Sequence, residues 1–343
     1  MNVERKNQGA PVEYKVDDQE LLLGFYKTVL WNRMVPRIPR AISPNSITIT
    51  GQIMGLLAVV FAWLAVNGNP VGYVLSALSL LTYLTFDNID GAHARRTGRC
   101  SPLGEFLDHG LDGIASGAVL LTTGLVLRVD PIPLVLLCVL GAVGFSMVFW
   151  EQYRTGHLVI PKVSSTEGVT FLIVIELVLL AAGDPATLQF SQSGFNVAHA
   201  VIIATLVGYA AALAPPIVRA AQHGVKPWEL IPLALVAGSF AAYPVMGGNA
   251  IIPAIAVGML GADVVCRMIV KRHRRETGAI VSKLHALVVL PAIGAVAAPN
   301  AWTVNGWSAL ALIVVSALYA RTLYRGVTEM LARGNARATA TAS

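Results

Sequence analysis

The sequence predicts an all-α polytopic membrane protein: about ten transmembrane helices preceded by an interfacial amphipathic helix. Of its 343 residues, 55% are hydrophobic and 13% charged, roughly half the charge of a soluble domain. The apolar residues fall into ten stretches, each near the roughly 20 residues that cross a bilayer core. Basic residues gather in every second gap between those stretches, the pattern of a chain threaded with its positive loops inside.

The elements follow in order. Residues 1–45 form an N-terminal segment. Its start, Met1 to Glu20, is polar and has no apolar run, so a cleaved secretory signal is not expected. Leu21 to Val35 mixes apolar residues with Lys27 and Arg33, too short and charged to span, and reads as a helix lying at the interface. Pro36, Pro39 and Pro44 interrupt the chain after it. The spans are expected at 46–67, 70–94, 103–127, 131–150, 168–183, 196–218, 228–245, 249–270, 280–298 and 303–324. No internal repeat and no soluble second domain is evident. The last dozen residues, from Ala332, are small and polar and are expected to be disordered.

The net charge of +6 reports orientation here and not a nucleic-acid partner. Arg33, Arg37 and Arg40, then Arg95, Arg96 and Arg99, then Arg154 and Lys162 fall on one side. Arg219, Lys226, the run Arg267 to Arg275, Arg321, Arg325, Arg333 and Arg337 fall there too. The opposite loops, near 68, 129, 187, 247 and 300, hold essentially Arg128 alone. Both termini are therefore expected in the cytoplasm. Cys100, Cys138 and Cys266 are scattered and suit neither a disulfide framework nor a zinc site.

One feature conflicts with lipid. The second and third spans meet in FDNIDGAHARRTGRCSPLGEFLDHGLDG, which sets Asp87, Asp90, Asp108 and Asp112 in or beside apolar helix. A mid-membrane aspartate costs about 2.5–3.5 kcal/mol on insertion scales. Asp87 and Asp90 are three residues apart, Asp108 and Asp112 four, so each pair shares a helix face. A short loop makes the two helices neighbours, and four converging carboxylates repel unless protonated or metal-bound. Hard oxygen ligands suit Mg²⁺ or Mn²⁺. Gly91, Ala94 and Gly104 leave room for a bulky ligand, and Arg95 offers a planar fork to phosphate. Helix capping, or pairing with Arg95, Arg96 and Arg99, would account for one or two of the aspartates but not for four at this spacing.

The stretch resembles the motif of the CDP-alcohol phosphotransferase family, D-x2-D-G-x2-A-R-x8-G-x3-D-x3-D. Its fixed positions are Asp87, Asp90, Gly91, Ala94, Arg95, Gly104, Asp108 and Asp112. ARRT followed by SPLGE, the DHG-x-D ending with His109, the upstream SPNSIT around Asn45, WEQYRTGHL and Thr166–Glu167 are similar to its choline/ethanolamine phosphotransferase branch. The resemblance covers most of the first 180 residues; the C-terminal half matches in hydropathy only.

The resemblance implies catalytic helices over 46–218, further transmembrane helices over 219–325 and a tail over 326–343. It implies transfer of phosphocholine or phosphoethanolamine from CDP-choline or CDP-ethanolamine to diacylglycerol, with release of CMP, by a homodimer in the membrane. Two Mg²⁺ or Mn²⁺ ions would be held by Asp87, Asp90 and Asp108, with Asp112 either touching metal or acting as base. His109 is a rival base, since imidazole titrates near neutrality. Glu105 suits either the donor or metal-bound water, or a plain charge at the helix start. Asn45 suits either the nucleotide or an N-cap. Glu176 and Asp263, also intramembrane, suit a basic partner or a choline-like cation. Trp150 and Tyr153 suit an aromatic belt or a lipid gate. The remaining histidines, among them His273 and His285, show no shared site. Two other activities are compatible with an acid-lined membrane site. One is a phosphatidyltransferase with CDP-diacylglycerol as donor and inositol, inositol phosphate or glycerol phosphate as acceptor; the other is a cation transporter.

Overall fold

The computed structural model describes residues 15–183 and 196–342. A short strand β1 (Lys15–Asp18) precedes a helical run over residues 23–37 that alternates α, π and 3-10 turns. The long helices follow: α1 (Pro44–Val66), α2 (Val71–Thr97), α3 (Pro102–Val126) and α4 (Pro131–Thr155). Strand β2 (His157–Ile160) then pairs in parallel with β1. Next come α5 (Ser165–Ala182), α6 (Val197–Ala212), α7 (Ala214–Gln222) and α8 (Ile231–Gly238). The bundle closes with α9 (Ile251–Arg274), α10 (Ala286–Ala297) and α11 (Ala301–Ala342).

The all-α polytopic prediction holds; among the described residues, seven helical segments are both long and apolar enough to cross a bilayer, against the ten stretches expected. α2 and α3 have the length, at 27 and 25 residues; their aspartates and neighbouring polar residues dilute the apolar run. The segment Lys283–Ala297 is shorter, with Pro291 inside it. The expected span 196–218 breaks after α6, where Pro215 and Pro216 open α7. Residues 227–245 break similarly into 3-10 and α turns around Pro227, Pro232 and Pro244, because proline removes a backbone donor and clashes with the preceding turn.

Helix α11 corrects the expectation of a disordered end, since it continues to Ala342. Alanine is the strongest helix former, and Glu329 joins Arg333 at 3.1 Å one turn on. The run over residues 23–37 fits its interfacial reading. Leu21, Phe25 and Val29 expose an apolar stripe at four-residue spacing, while Trp31 is buried and stacks on Tyr26 at 5.3 Å. The β1–β2 ladder had no signal in the alternation of either strand; its register is set by tertiary placement.

Contacts between loops gather basic residues at one end of the bundle. At one end, Arg96 donates to the Pro36 carbonyl at 2.7 Å and Arg154 pairs with Glu229 at 2.6 Å. Tyr153 reaches the Glu276 carbonyl at 2.8 Å, and Arg274 binds Glu329. At the other end, Arg128 donates to the Val66 carbonyl and the Asn249 amide to Asn305. The opposite loop near 187 lies outside the described residues. Trp150 is fully buried, with its indole N–H 3.4 Å from Glu229, so it does not belong to an aromatic belt.

A close crossing joins α3 to α9. Gly113 and Gly117 face Ala262 and Gly258: a Cβ on Gly113 would lie 2.6 Å from the Ala262 Cα, and one on Gly117 3.0 Å from the Gly258 Cα. Small residues at four-residue spacing on both helices let the backbones touch, as in membrane helix pairs generally. Gly113→Val is expected to destabilise the fold by about 1–3 kcal/mol through overpacking against backbone that cannot yield. An unchanged melting curve in detergent would contradict this crossing.

Two intramembrane acids resolve differently. Asp263 takes the basic partner: His285 Nε2 lies 2.7 Å from its Oδ2, both side chains 1% exposed. His285 thus has a defined role in tying α10 to α9, which its spacing did not suggest. Glu176 has no basic partner among the described residues. Its Oε1 lies 2.5 Å from Ser76 Oγ on α2, and its Oε2 is buried without a partner.

Candidate active site

The site is built by a four-residue turn. Gly98 ends α2 in the left-handed conformation at φ +69°, which glycine adopts without the steric cost of a Cβ. Ser101 starts α3 as N-cap, its hydroxyl accepting from the Gly104 amide at 3.0 Å, and Pro102 follows at the first helical position. So short a link folds α3 back along α2, bringing the acid pairs of the two helices together.

The four carboxylates converge as the spacing predicted. Asp87 and Asp112 interact side chain to side chain. Asp90 is buried, accepts from Thr48 on α1 and from the Gly91 amide, and is fixed from two sides. Asp112 Oδ1 accepts from Gln52 Nε2 at 2.8 Å. Asp87 Oδ1 is buried and has no partner. Among the described residues the basic side chain within 4 Å of these carboxylates is His109, whose Nδ1 lies 3.8 Å from Asp108 and 3.9 Å from Asp112. Arg96 is engaged with backbone at Pro36 and Ile38, so it is not the partner of these acids.

These residues fit a divalent cation. The donor set is carboxylate oxygen, the hard ligand that Mg²⁺ and Mn²⁺ prefer. Ligand atoms of Asp108, His109 and Asp112 lie within 4.8 Å of one another, and the orphaned Asp87 oxygen lacks any other satisfaction. An unpaired buried carboxylate is costly unless it neutralises or binds metal.

Beside the acids opens a cavity of about 520 Å³, the size of a small-molecule site. Asn45, Asp90, Gly91, Ala94, Arg95, Gly104, Glu105, Asp108 and His109 all line it. Asp87 and Asp112 do not; they lie behind that wall, deeper in the bundle. His109 sits near both Asp108 and Asp112 and leans on Phe149 at 5.2 Å. Asn45 is not an N-cap. Ser43 holds that position, Pro44 opens α1, and the Asn45 amide is free to pack near Gly104. Gly104 matters for that approach: a Cβ there would lie 3.4 Å from Asn45 Oδ1.

Glu105 is neither a simple helix-start charge nor free to bind metal. Arg272 and His273, at the end of α9, both bind it, His273 at 3.1 Å. Sequence reasoning treated His273 as structural, yet it lines the cavity, as do Thr48, Arg99 and Ser101. Arg99 and Ser101 were legible as part of the connecting turn and Thr48 as the end of SPNSIT; Gln52 and His273 come from other helices and gave no signal of their own.

Comparison with known proteins agrees with this geometry. Residues 41–212, half of the chain, match the model of the CDP-alcohol phosphatidyltransferase family. Over 155 residues the chain is 35% identical to cholinephosphotransferase 1 of Gallus gallus, covering 42% of this chain and 46% of that protein. It is 32% identical over 180 residues to an uncharacterized class-I family protein of Schizosaccharomyces pombe, covering 50% and 47%. Against human cholinephosphotransferase 1 the figures are 34% over 160 residues, covering 45% and 39%. The matches thus span about half the length of these curated relatives or less. With six of the eight motif positions lining one cavity, Asp87 and Asp112 beside it, and the family match extending across the helices that carry them, the chain belongs to the CDP-alcohol phosphatidyltransferase family.

Proposed function

We propose that this chain transfers phosphocholine or phosphoethanolamine from CDP-choline or CDP-ethanolamine to diacylglycerol, releasing CMP. The observation that carries the reading is the set of four carboxylates without an arginine or lysine salt bridge among the described residues, two of which, Asp90 and Asp108, line a cavity that also holds Arg95 and Arg99. That the matched relatives include cholinephosphotransferases supports the choice of donor.

Asp87, Asp90 and Asp108 would hold two Mg²⁺ or Mn²⁺ ions, with Asp112 beside them. Bound there, the metal offsets charge on the donor's pyrophosphate and on departing CMP. Arg95 and Arg99 present planar forks to phosphate oxygens. Asn45, Gly91, Ala94 and Gly104 shape the wall that faces the nucleotide, and Glu105, pinned by Arg272 and His273, anchors that wall to α9. Asp112 accepts the proton of the attacking hydroxyl, with His109 at 3.9 Å as the neighbouring group that stabilises it. The basic loops gathered at this end favour a cytoplasmic opening.

The alternative phosphatidyl transfer to a phosphorylated acceptor needs spare arginines. Arg272 and Arg274, in the one obvious reserve, are already bound to Glu105 and Glu329. Transport is disfavoured because the acids cluster at one end of a single helix pair. Purified protein in lipid nanodiscs with Mg²⁺ and diacylglycerol is expected to release CMP from CDP-choline or CDP-ethanolamine, the lipid product being identified by mass. No CMP from either donor, with release from labelled CDP-diacylglycerol instead, would reverse the assignment.

A further inference from the structure

Gln52 stands one turn from Thr48 on α1, on the face that continues to Leu56, Val59 and Val60. It is buried, at 8% exposure. Its Nε2 donates to Asp112 at 2.8 Å, and its Oε1 is buried without any partner. An unmatched acceptor in an apolar surrounding is costly and marks a place where a donor belongs.

Two openings flank this residue along the same three helices, α1, α3 and α9. Toward the loops lies the polar cavity. Toward mid-membrane lies an apolar groove of about 220 Å³, whose lining includes Leu56, Val60, Ile114, Ala254 and Met259. Val60 and Leu56 are also exposed on the outer surface, at 51% and 47%, so the groove borders the face that meets lipid.

We propose that Gln52 docks the hydroxyl of the lipid acceptor, whose acyl chain lies in this groove, while its amide N–H holds Asp112 in place. The proposal rests on the phosphotransferase reading above. A diacylglycerol carries several ester oxygens but one O–H donor. The Gln52 Oε1 can take only a donor, so it selects the end of the lipid that reacts. One hydroxyl proton serves one acceptor, so this contact belongs to the docked state. In transfer the hydroxyl turns to the carboxylate that the same amide holds. Its proton passes to Asp112, the new O–P bond forms, and the P–O bond to CMP breaks with its electron pair. Gln52 exchanges no proton; it is a positioning residue.

Gln52→Met keeps the length of the side chain and removes both hydrogen-bonding groups. It is expected to raise KM for dioctanoylglycerol roughly tenfold, the scale of one hydrogen bond left unmade, with KM for the CDP-linked donor unchanged. In nanodiscs without donor or metal, a photoreactive diacylglycerol should label α1 or α3 of the wild type, and Q52M roughly tenfold less. Val60→Trp, filling the groove from its outer side, should reduce labelling as well. Parallel changes in both KM values, or undiminished labelling of Q52M, overturn the proposal; Gln52→Asn, one methylene shorter, carries the same test should Q52M not fold. Wild type that is labelled but releases no CMP would sink the reaction and leave the docking contact standing. Wild type that turns over without being labelled would sink the contact alone.

Discussion

Asp112→Asn is expected to lower CMP release by about 10³-fold, within the range for loss of a positioned general base, while a CDP-linked donor still binds. The substitution keeps the shape of the side chain beside Gln52 and removes its capacity to take a proton. His109→Asn is expected to cost roughly tenfold, as the loss of a neighbouring stabiliser and not of the base. Single-turnover CMP release separates the two, and equilibrium donor binding guards against misfolding. If Asp112→Asn still turns over while His109→Asn does not, the base is the imidazole, which lines the cavity where Asp112 does not.

Chelation is the second large effect, and it has a readout apart from turnover. EDTA should abolish CMP release, with Mg²⁺ or Mn²⁺ restoring it. Because metal binds the folded site, Mg²⁺ at a hundredfold excess over its Kd should add about 2.7 kcal/mol of stability. Asp87→Asn, Asp90→Asn and Asp108→Asn should each blunt that gain. In metal-free protein the sign reverses: a neutral amide sits among facing carboxylates without repulsion or the need to take up a proton, so Asp87→Asn should melt higher than wild type in EDTA. A metal-independent melting temperature in the wild type, or lower apo stability in Asp87→Asn, would contradict the carboxylate cluster as a metal site.

The motif was legible because it is local. Helical spacing places Asp87 with Asp90 and Asp108 with Asp112, and a turn of a few residues leaves the two helices no option but adjacency. The threading of the bundle was legible for a similar reason. Charge avoids the bilayer core, so the basic loops had to collect at one end, and the contacts of Arg96, Arg154 and Arg274 place them there. The regularity of the spans was less legible. Ten apolar runs do not make ten uniform helices, because prolines at 215, 216, 232 and 244 interrupt segments that hydropathy reads as continuous. Residues 332–342 failed in the opposite direction: small and polar by composition, they are helical through alanine propensity and pairing to the helix before them.

The terminal assignments within the site needed three dimensions. Glu105 reads as a helix-start charge until Arg272 and His273 arrive from a helix some 165 residues further along the chain. Gln52 reads as one polar residue in an apolar span until it is found holding Asp112. The sequence by itself determined the membrane class, the one-sided charge and the acidic motif, because these depend on composition and on spacing within one turn or one hairpin. Tertiary structure alone decided which carboxylates face the cavity, which helix clamps Glu105 and where a buried oxygen remains unmatched. Those outcomes depend on packing between helices distant in sequence, where the close approach of Gly113 and Gly117 to α9 sets the geometry.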